Sequence, residues 1–403
     1  MAKNLGYDSK AVDDMLLRKR REARQKPKGL DGEKVIPLPD TVALVLQGGG
    51  ALGSYQAGVY EALAAQDIRI DWVAGISIGA INSAIIAGNP FDTAWERLRA
   101  FWEQITSGGP NWLFADNGYW RQLNHRFGAF AAATTGVPGF YRPHLLPPGF
   151  ALSGSDNAVS IYDTAPLIDT LNAHVDWDRL NDGPMRLSVG AVDVESGNFI
   201  YFDTRDPVHP TRIDARHILA SGALPPGFPP IEIDGRHYWD GGIVSNTPLA
   251  HVLENQTTDM LVFQVDLFPA RGPLPQDFDD VLSRMKDIRY SSRTRAVTDQ
   301  YLKLRREHET ICSVLNKLPP EVCADEDVAK LRAMVSEKAV NIVHLICQVD
   351  EWESGARDFE FSRPTMERHW AQGLDAVLAV IEKRGLLAKN ILDGRTAAFD
   401  LGN

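Results

Sequence analysis

Apolar positions in this chain recur with two periods, and the places where one period gives way to the other mark its elements. Val42, Leu44 and Leu46 alternate as a strand, glycines at 48, 49, 50 and 53 interrupt them, and Val59, Leu63 and Ala64 resume with helical spacing. The unit is then written a second time. Trp72 and Val73 lead into Gly75-Ile76-Ser77-Ile78-Gly79, and Ala80, Ala84 and Ile85 continue as an apolar helix. A further helix is predicted over 94–105 through Trp95, Leu98, Phe101 and Trp102, and alternation over 186–202 predicts a hairpin turning at Glu195-Ser196-Gly197-Asn198. The near-continuous apolar run from Leu261 to Leu267 reads as a strand covered on both faces. Strands alternating with helices in this way predict an α/β fold, a mostly parallel sheet between helical layers.

Three stretches depart from that rhythm. Residues 1–40 are polar, with the basic run Arg18-Lys19-Arg20-Arg21, and read as a solvated arm or an electrostatic contact with an anionic lipid surface. Residues 108–156 are rich in aromatic side chains, Pro and Gly, including Trp112, Phe114, Phe127, Phe130, Phe140, Tyr141 and Phe150. They read equally as a cap of a few short helices over a site or as a peripheral subdomain. The α/β unit is expected to run from 41 to 270, and 271–403 to form a helical C-terminal extension of structural or oligomer-forming role. In that extension a long helix over 277–317 and a second over 327–337 precede a late strand at 341–348, a candidate to join the sheet. Pro364 then opens a final helix through Trp370, Leu374, Val377 and Val380. Asp163 is the expected N-cap of a helix beginning near Pro166.

Composition narrows the function classes. A chain of 403 residues with 44 % hydrophobic and 24 % charged content buries a large core, and a formal net charge of -11 argues against general nucleic-acid binding. Cys312, Cys323 and Cys347 are too few and too irregular for a disulfide framework. No run is apolar for long enough to span a membrane, and MAKNLGYDSK lacks the apolar core of a signal peptide, so a cytoplasmic protein is expected, with peripheral contact to lipid as its reach toward membranes. Neither His-Glu-x-x-His nor Cys-x-x-Cys occurs, so neither a metal nor an organic cofactor is expected.

The second glycine turn carries candidate chemistry. Gly-x-Ser-x-Gly between a strand and a helix is a nucleophile elbow, with Ser77 held at a sharp turn and Gly75 and Gly79 removing side chains from its crowded flanks. The first turn is open to two readings. Gly48-x-Gly50-x-x-Gly53 satisfies a dinucleotide fingerprint, with Asp67 or Asp71 as the acidic partner. Both aspartates, however, precede the strand at Trp72 instead of ending it, and three successive glycines before a helix also offer backbone N–H groups to a tetrahedral oxyanion. For a general base, His209, His217, His237 and His251 lie downstream in no recognisable turn, whereas Asp240-Gly241-Gly242 follows a predicted hairpin at Asp234-Gly235. Taken alone, Asp-Gly-Gly is equally an ordinary turn.

Four blocks in order carry a family resemblance: Gly48-Gly49-Gly50-Ala51-Leu52-Gly53, Gly75-Ile76-Ser77-Ile78-Gly79, Ala220-Ser221-Gly222-Ala223-Leu224-Pro225-Pro226-Gly227-Phe228-Pro229-Pro230 and Asp240-Gly241-Gly242. They resemble the patatin-like phospholipases. The resemblance covers about residues 41–250 and implies a three-layer α/β/α patatin-like sandwich that hydrolyses lipid or other acyl esters. It also implies a Ser77/Asp240 dyad without histidine, an oxyanion hole from the Gly48, Gly49 and Gly50 backbone, and no cofactor. Many relatives have a basic residue where this chain has Leu52, so no anion contact is expected there. A dyad works only if Asp240, whose ordinary pKa of about 3.9 makes it a poor base, is desolvated, and Trp239 and Ile243 are the expected apolar neighbours. The competing classes are a dinucleotide-binding protein and a catalytically silent, membrane-associated scaffold.

Overall fold

The computed structural model describes residues 36–108, 118–323, 325–335, 338–348, 353 and 355–401. The basic run of the arm and Trp112 and Phe114 of the aromatic stretch lie outside them. The strand Thr41–Leu46 is central, pairing in parallel with Trp72–Gly75 on one side and with Met260–Asp266 on the other. Beyond Met260–Asp266, the strands Val340–Ile346 and Ala397–Asp400 extend the sheet in parallel. Beyond Trp72–Gly75 comes the parallel strand Arg186–Asp193, after which pairing turns antiparallel to Phe199–Asp203, Arg236–Asp240 and Ile231–Ile233. The antiparallel strands sit at one end because short turns connect them, whereas each parallel neighbour needs a helical crossover.

Alternation along the central strand sorts the core onto two faces. Val42, Leu44 and Leu46 join one cluster with the helices Gly53–Ala65, Ile78–Ala87, Ala94–Ile105 and Arg363–Glu382, while Ala43 and Val45 join another with Leu249, Val252 and Leu253. Val297 and Tyr301 of the helix Phe278–Leu315 pack against the second cluster. The result is a three-layer α/β/α sandwich with a mostly parallel sheet, as the resemblance implied.

Residues beyond 270 are built into this body. The Arg363–Glu382 helix lies across Gly53–Ala65 at backbone contact: a Cβ at Gly58 would stand 2.0 Å from the Trp370 carbonyl oxygen, and one at Gly373 would stand 2.1 Å from that of Tyr55. The Trp370 indole donates to Glu61 at 2.7 Å inside the same contact. Gly373→Leu is therefore expected to pry the helices apart and lower stability by about 3 kcal/mol or more. Urea denaturation reads this directly, and an unchanged midpoint would show that the crossing is not as tight as described.

Two local expectations shift. The helix Ala165–His174 is capped at Thr164, with the Asp163 carboxylate accepting from the Ala165 N–H at 2.8 Å, because Asp163 itself pairs as the strand Tyr162–Asp163 with Arg142–Pro143. In the aromatic stretch the described part contains one longer helix, Gly118–Thr135, where only short ones were expected. Its alanine-rich second half supports helical length that scattered glycines had obscured.

Candidate active site

Register brings the motif turns together. Leu46 pairs with Gly75 and Gly75 with Val189, so the first glycine turn and the Ser77 turn leave adjacent strands at the same carboxyl edge. Asp240 pairs with Ala191, two residues beyond Val189, and so arrives beside Ser77. Carboxyl ends of parallel strands are where open α/β sheets form their sites.

Ser77 has φ 55° and ψ -123°, a left-handed conformation at a non-glycine residue, and directly precedes the helix Ile78–Ala87. Such a turn fits only because its flanks are bare. A Cβ at Gly75 would lie 2.3 Å from the Gly79 carbonyl oxygen, and one at Gly79 would lie 2.4 Å from that of Leu46. The Ser77 N–H donates to the buried Ser221 hydroxyl at 3.0 Å, which fixes the turn from the third motif block.

Asp240 is 2 % exposed and lines the same cavity as Ser77. Burial pushes its carboxyl up to about 7, while the hydrogen bond from Gly242 pulls the other way. The Gly242 N–H donates to Oδ1 at 2.7 Å. The expected desolvating neighbours need correction. Trp239 adjoins Asp240 in the strand Arg236–Asp240 and so faces the other side of the sheet, and neither it nor Ile243 lines the cavity around Asp240. Gly242, Asn246 and Tyr290 stand there in their place.

Asn246 also ties the first turn to this one. Its side chain donates to the Gly48 carbonyl at 2.8 Å, and its own carbonyl accepts from the Gly48 N–H at 3.1 Å. The Gly48 N–H is thus committed within the protein. Among the described residues no protein acceptor takes the Gly49 or Gly50 N–H, so the three-glycine donor set read from the sequence contracts to two. Gly50 has φ 56°, and a Cβ there would lie 2.1 Å from the Asp358 carbonyl oxygen. The segment carrying Asp358 therefore seats directly on the turn, and Lys286 holds its carboxylate at 2.7 Å.

Ser77, Asp240 and Gly48 to Gly50 open on a cavity of about 450 Å³ with apolar walls. Phe140, Tyr141, Tyr162, Phe228 and Phe361 form a connected aromatic wall, their ring centroids in contact pairs 4.8 to 6.4 Å apart. Of the aromatic stretch, Phe140 and Tyr141 line this cavity, whereas Phe150 is 81 % exposed and does not. Gly53 packs against Ile78 and Trp102, and Gly241 against Gly190, outside the cavity lining.

No histidine lines the cavity among the described residues. His217 bonds Asp214 in a helix cap, His237 bonds Glu195 at 2.7 Å, His251 bonds the buried Asp203 at 2.9 Å, and His209 is exposed. The nucleotide pattern does not assemble either. Asp71 accepts the Val42 N–H at 2.8 Å at the amino end of the strands, a strand length from the glycine turn. Leu52 is buried, in keeping with its missing charge.

Comparison with known proteins identifies the family. A family model described as "Patatin-like phospholipase" matches residues 44–253, and a second, "Patatin phospholipase", matches 288–390. The lysophospholipase nte1 of Aspergillus terreus is 25 % identical over 244 residues, 60 % of this chain and 13 % of that protein. Lysophospholipase NTE1 of Saccharomyces cerevisiae is 23 % identical over 244 residues, with 60 % and 12 % covered. This chain therefore spans only about an eighth of the length of these relatives. Among solved structures, VipD from Legionella pneumophila aligns over 90 % of this chain and 73 % of its own, with 13 % identity and a TM-score of 0.37. Human GIVD cytosolic phospholipase A2 aligns over 63 % and 46 %, with 12 % identity and a TM-score of 0.28. With one family model spanning more than half of the sequence and every motif turn of that span converging on one cavity, the chain belongs to the patatin-like phospholipase family.

Proposed function

We propose that this protein is a serine acyl hydrolase that cleaves carboxylic esters of lipids by a Ser77/Asp240 dyad. The observation that carries this reading is the convergence of Ser77, on its left-handed turn, and the buried Asp240 carboxyl on one apolar cavity beside the glycine turn. Asp240 in its carboxylate form takes the Ser77 proton as Oγ bonds to the ester carbonyl carbon. The oxyanion of the tetrahedral intermediate accepts from Gly49 and Gly50 N–H, positioned by the bond of Gly48 to Asn246. Asp240 then returns the proton to the departing alkoxide, leaving an acyl-serine. Water repeats the cycle on that acyl-enzyme, freeing the acid. Lipid as the substrate class is supported by the family, by the lysophospholipase names of relatives and by the apolar walls. Ile161 and Leu224 line the cavity while 44 % and 36 % exposed, an apolar mouth suited to peripheral contact with a lipid surface. No helix among the described residues is long and apolar enough to cross a membrane.

The pH profile tests the dyad. Only carboxylate can take the proton, so kcat/KM for a soluble p-nitrophenyl ester should rise through a single ionisation near pH 7 and level above it. A limb near the usual carboxylate value of about 4, or a flat profile across pH 5 to 9, would contradict a buried Asp240 as base.

A further inference from the structure

A second cavity of about 840 Å³ opens between the helices Gly118–Thr135 and Phe278–Leu315. Ala133, Tyr290 and Phe359 line both it and the reaction cavity, so the two share a wall. Phe130 of the first helix and Leu282, Met285 and Ile288 of the second give it an apolar surface that stays 42 to 64 % exposed. Of its four charged lining residues, three are held in ion pairs. Arg126 pairs with Asp279 across the two helices at 3.1 Å, Lys286 with Asp358 at 2.7 Å, and Arg289 lies 5.7 Å from the Tyr290 ring.

We propose that this groove is the acyl-chain subsite of the reaction proposed above, with the chain esterified to Ser77 passing Tyr290 and Phe359 and running out between the two helices. The inference rests on that reading. Adjacency to the reacting centre selects the occupant, since a chain bound to Ser77 has its carbonyl in the first cavity and the groove is the apolar space that shares Ala133, Tyr290 and Phe359 with it. A head group is a poor fit, because the groove's apolar surface offers it few polar partners and Arg126 and Lys286 are already paired. Each of the two spaces, about 450 and about 840 Å³, lies within the range of ligand sites. One wall comes from residues beyond 270, which gives that region a part in choosing the substrate and not only in supporting the sheet.

The test is the ratio of kcat/KM for dodecanoyl over butyryl p-nitrophenyl esters, measured below their micelle-forming concentrations. Each methylene taken into the groove strengthens binding about fourfold, so the wild-type ratio should exceed about a hundredfold. Leu282→Asp puts a charge at a 42 % exposed position of the groove surface, and Ala133→Trp narrows the shared wall from an exposed position. Each should lower the ratio about tenfold or more. A ratio within about twofold of wild type in both variants would overturn the subsite, as would that result together with Leu282→Asp separating a dimer into monomers, which would mark the groove as a contact between copies. A wild-type protein that hydrolyses neither ester refutes the hydrolase reading itself. One that hydrolyses both at nearly equal rates refutes the groove alone.

Discussion

Asp240→Asn is expected to lower kcat by roughly 10⁴-fold or more, the scale seen when the aspartate of a serine triad is replaced by its amide. The substitution preserves shape: an amide oxygen still accepts the Gly242 N–H that now lies 2.7 Å from Oδ1. It removes the carboxylate proposed to take the Ser77 proton. Stability should move in the opposite direction. With its pKa raised to about 7, the folded chain holds a proton that the unfolded chain releases near pH 4, so the Asp240 contribution weakens the fold as pH rises from about 4 to about 7. The amide that replaces this carboxyl carries no such charge, and the variant should melt above wild type at pH 8. The buried Glu360 is also raised to about 7, so the difference between the two proteins, and not the wild-type curve alone, isolates Asp240. A variant that loses activity and also stability at pH 8 would point to a structural role for this carboxyl.

Ser77→Ala should cost about 10⁵-fold or more in kcat, because among the described residues Ser77 is the only serine or threonine that lines the cavity. The fold should survive, since the bond to Ser221 uses the Ser77 backbone N–H, which alanine retains. Alanine changes at His209, His217 and His237 are expected to keep most of the wild-type kcat, as none lines the cavity. His251→Ala should lose stability through its buried bond to Asp203 while keeping its rate per folded molecule. A histidine variant as inactive as Ser77→Ala, yet folded, would replace the dyad with a triad.

What the sequence made legible was local. The elbow, the glycine turn and Asp-Gly-Gly are each written in a few neighbouring residues whose spacing answers to one backbone requirement, and apolar runs, alternating in some and continuous in others, marked most strands of the central sheet. What it hid was assembled across the chain. Asn246 bridges Gly48 and Gly242 over nearly 200 positions, and nothing in Ser245-Asn246-Thr247-Pro248 announces more than a turn. Ser221 lay within a recognised block, but its bond to the Ser77 backbone depends on how two helices meet. The seating of Asp358 against Gly50 is invisible at a separation of about 300 residues. Expecting Trp239 to desolvate Asp240 treated sequence neighbours as spatial ones, which a strand forbids. The edge strand Ala397–Asp400 went unread because four residues without β-branching carry little signal.

The most direct measurement of the proposed mechanism is reaction with a fluorophosphonate followed by peptide mass mapping. An activated serine attacks phosphorus and keeps the adduct, whereas an ordinary surface serine does not react. The expected result is one adduct, on the peptide bearing Ser77, absent in Ser77→Ala and formed far more slowly in Asp240→Asn. Ester hydrolysis by a protein that takes no adduct at Ser77, or an inactivating adduct mapped to another residue, would contradict the account at its centre.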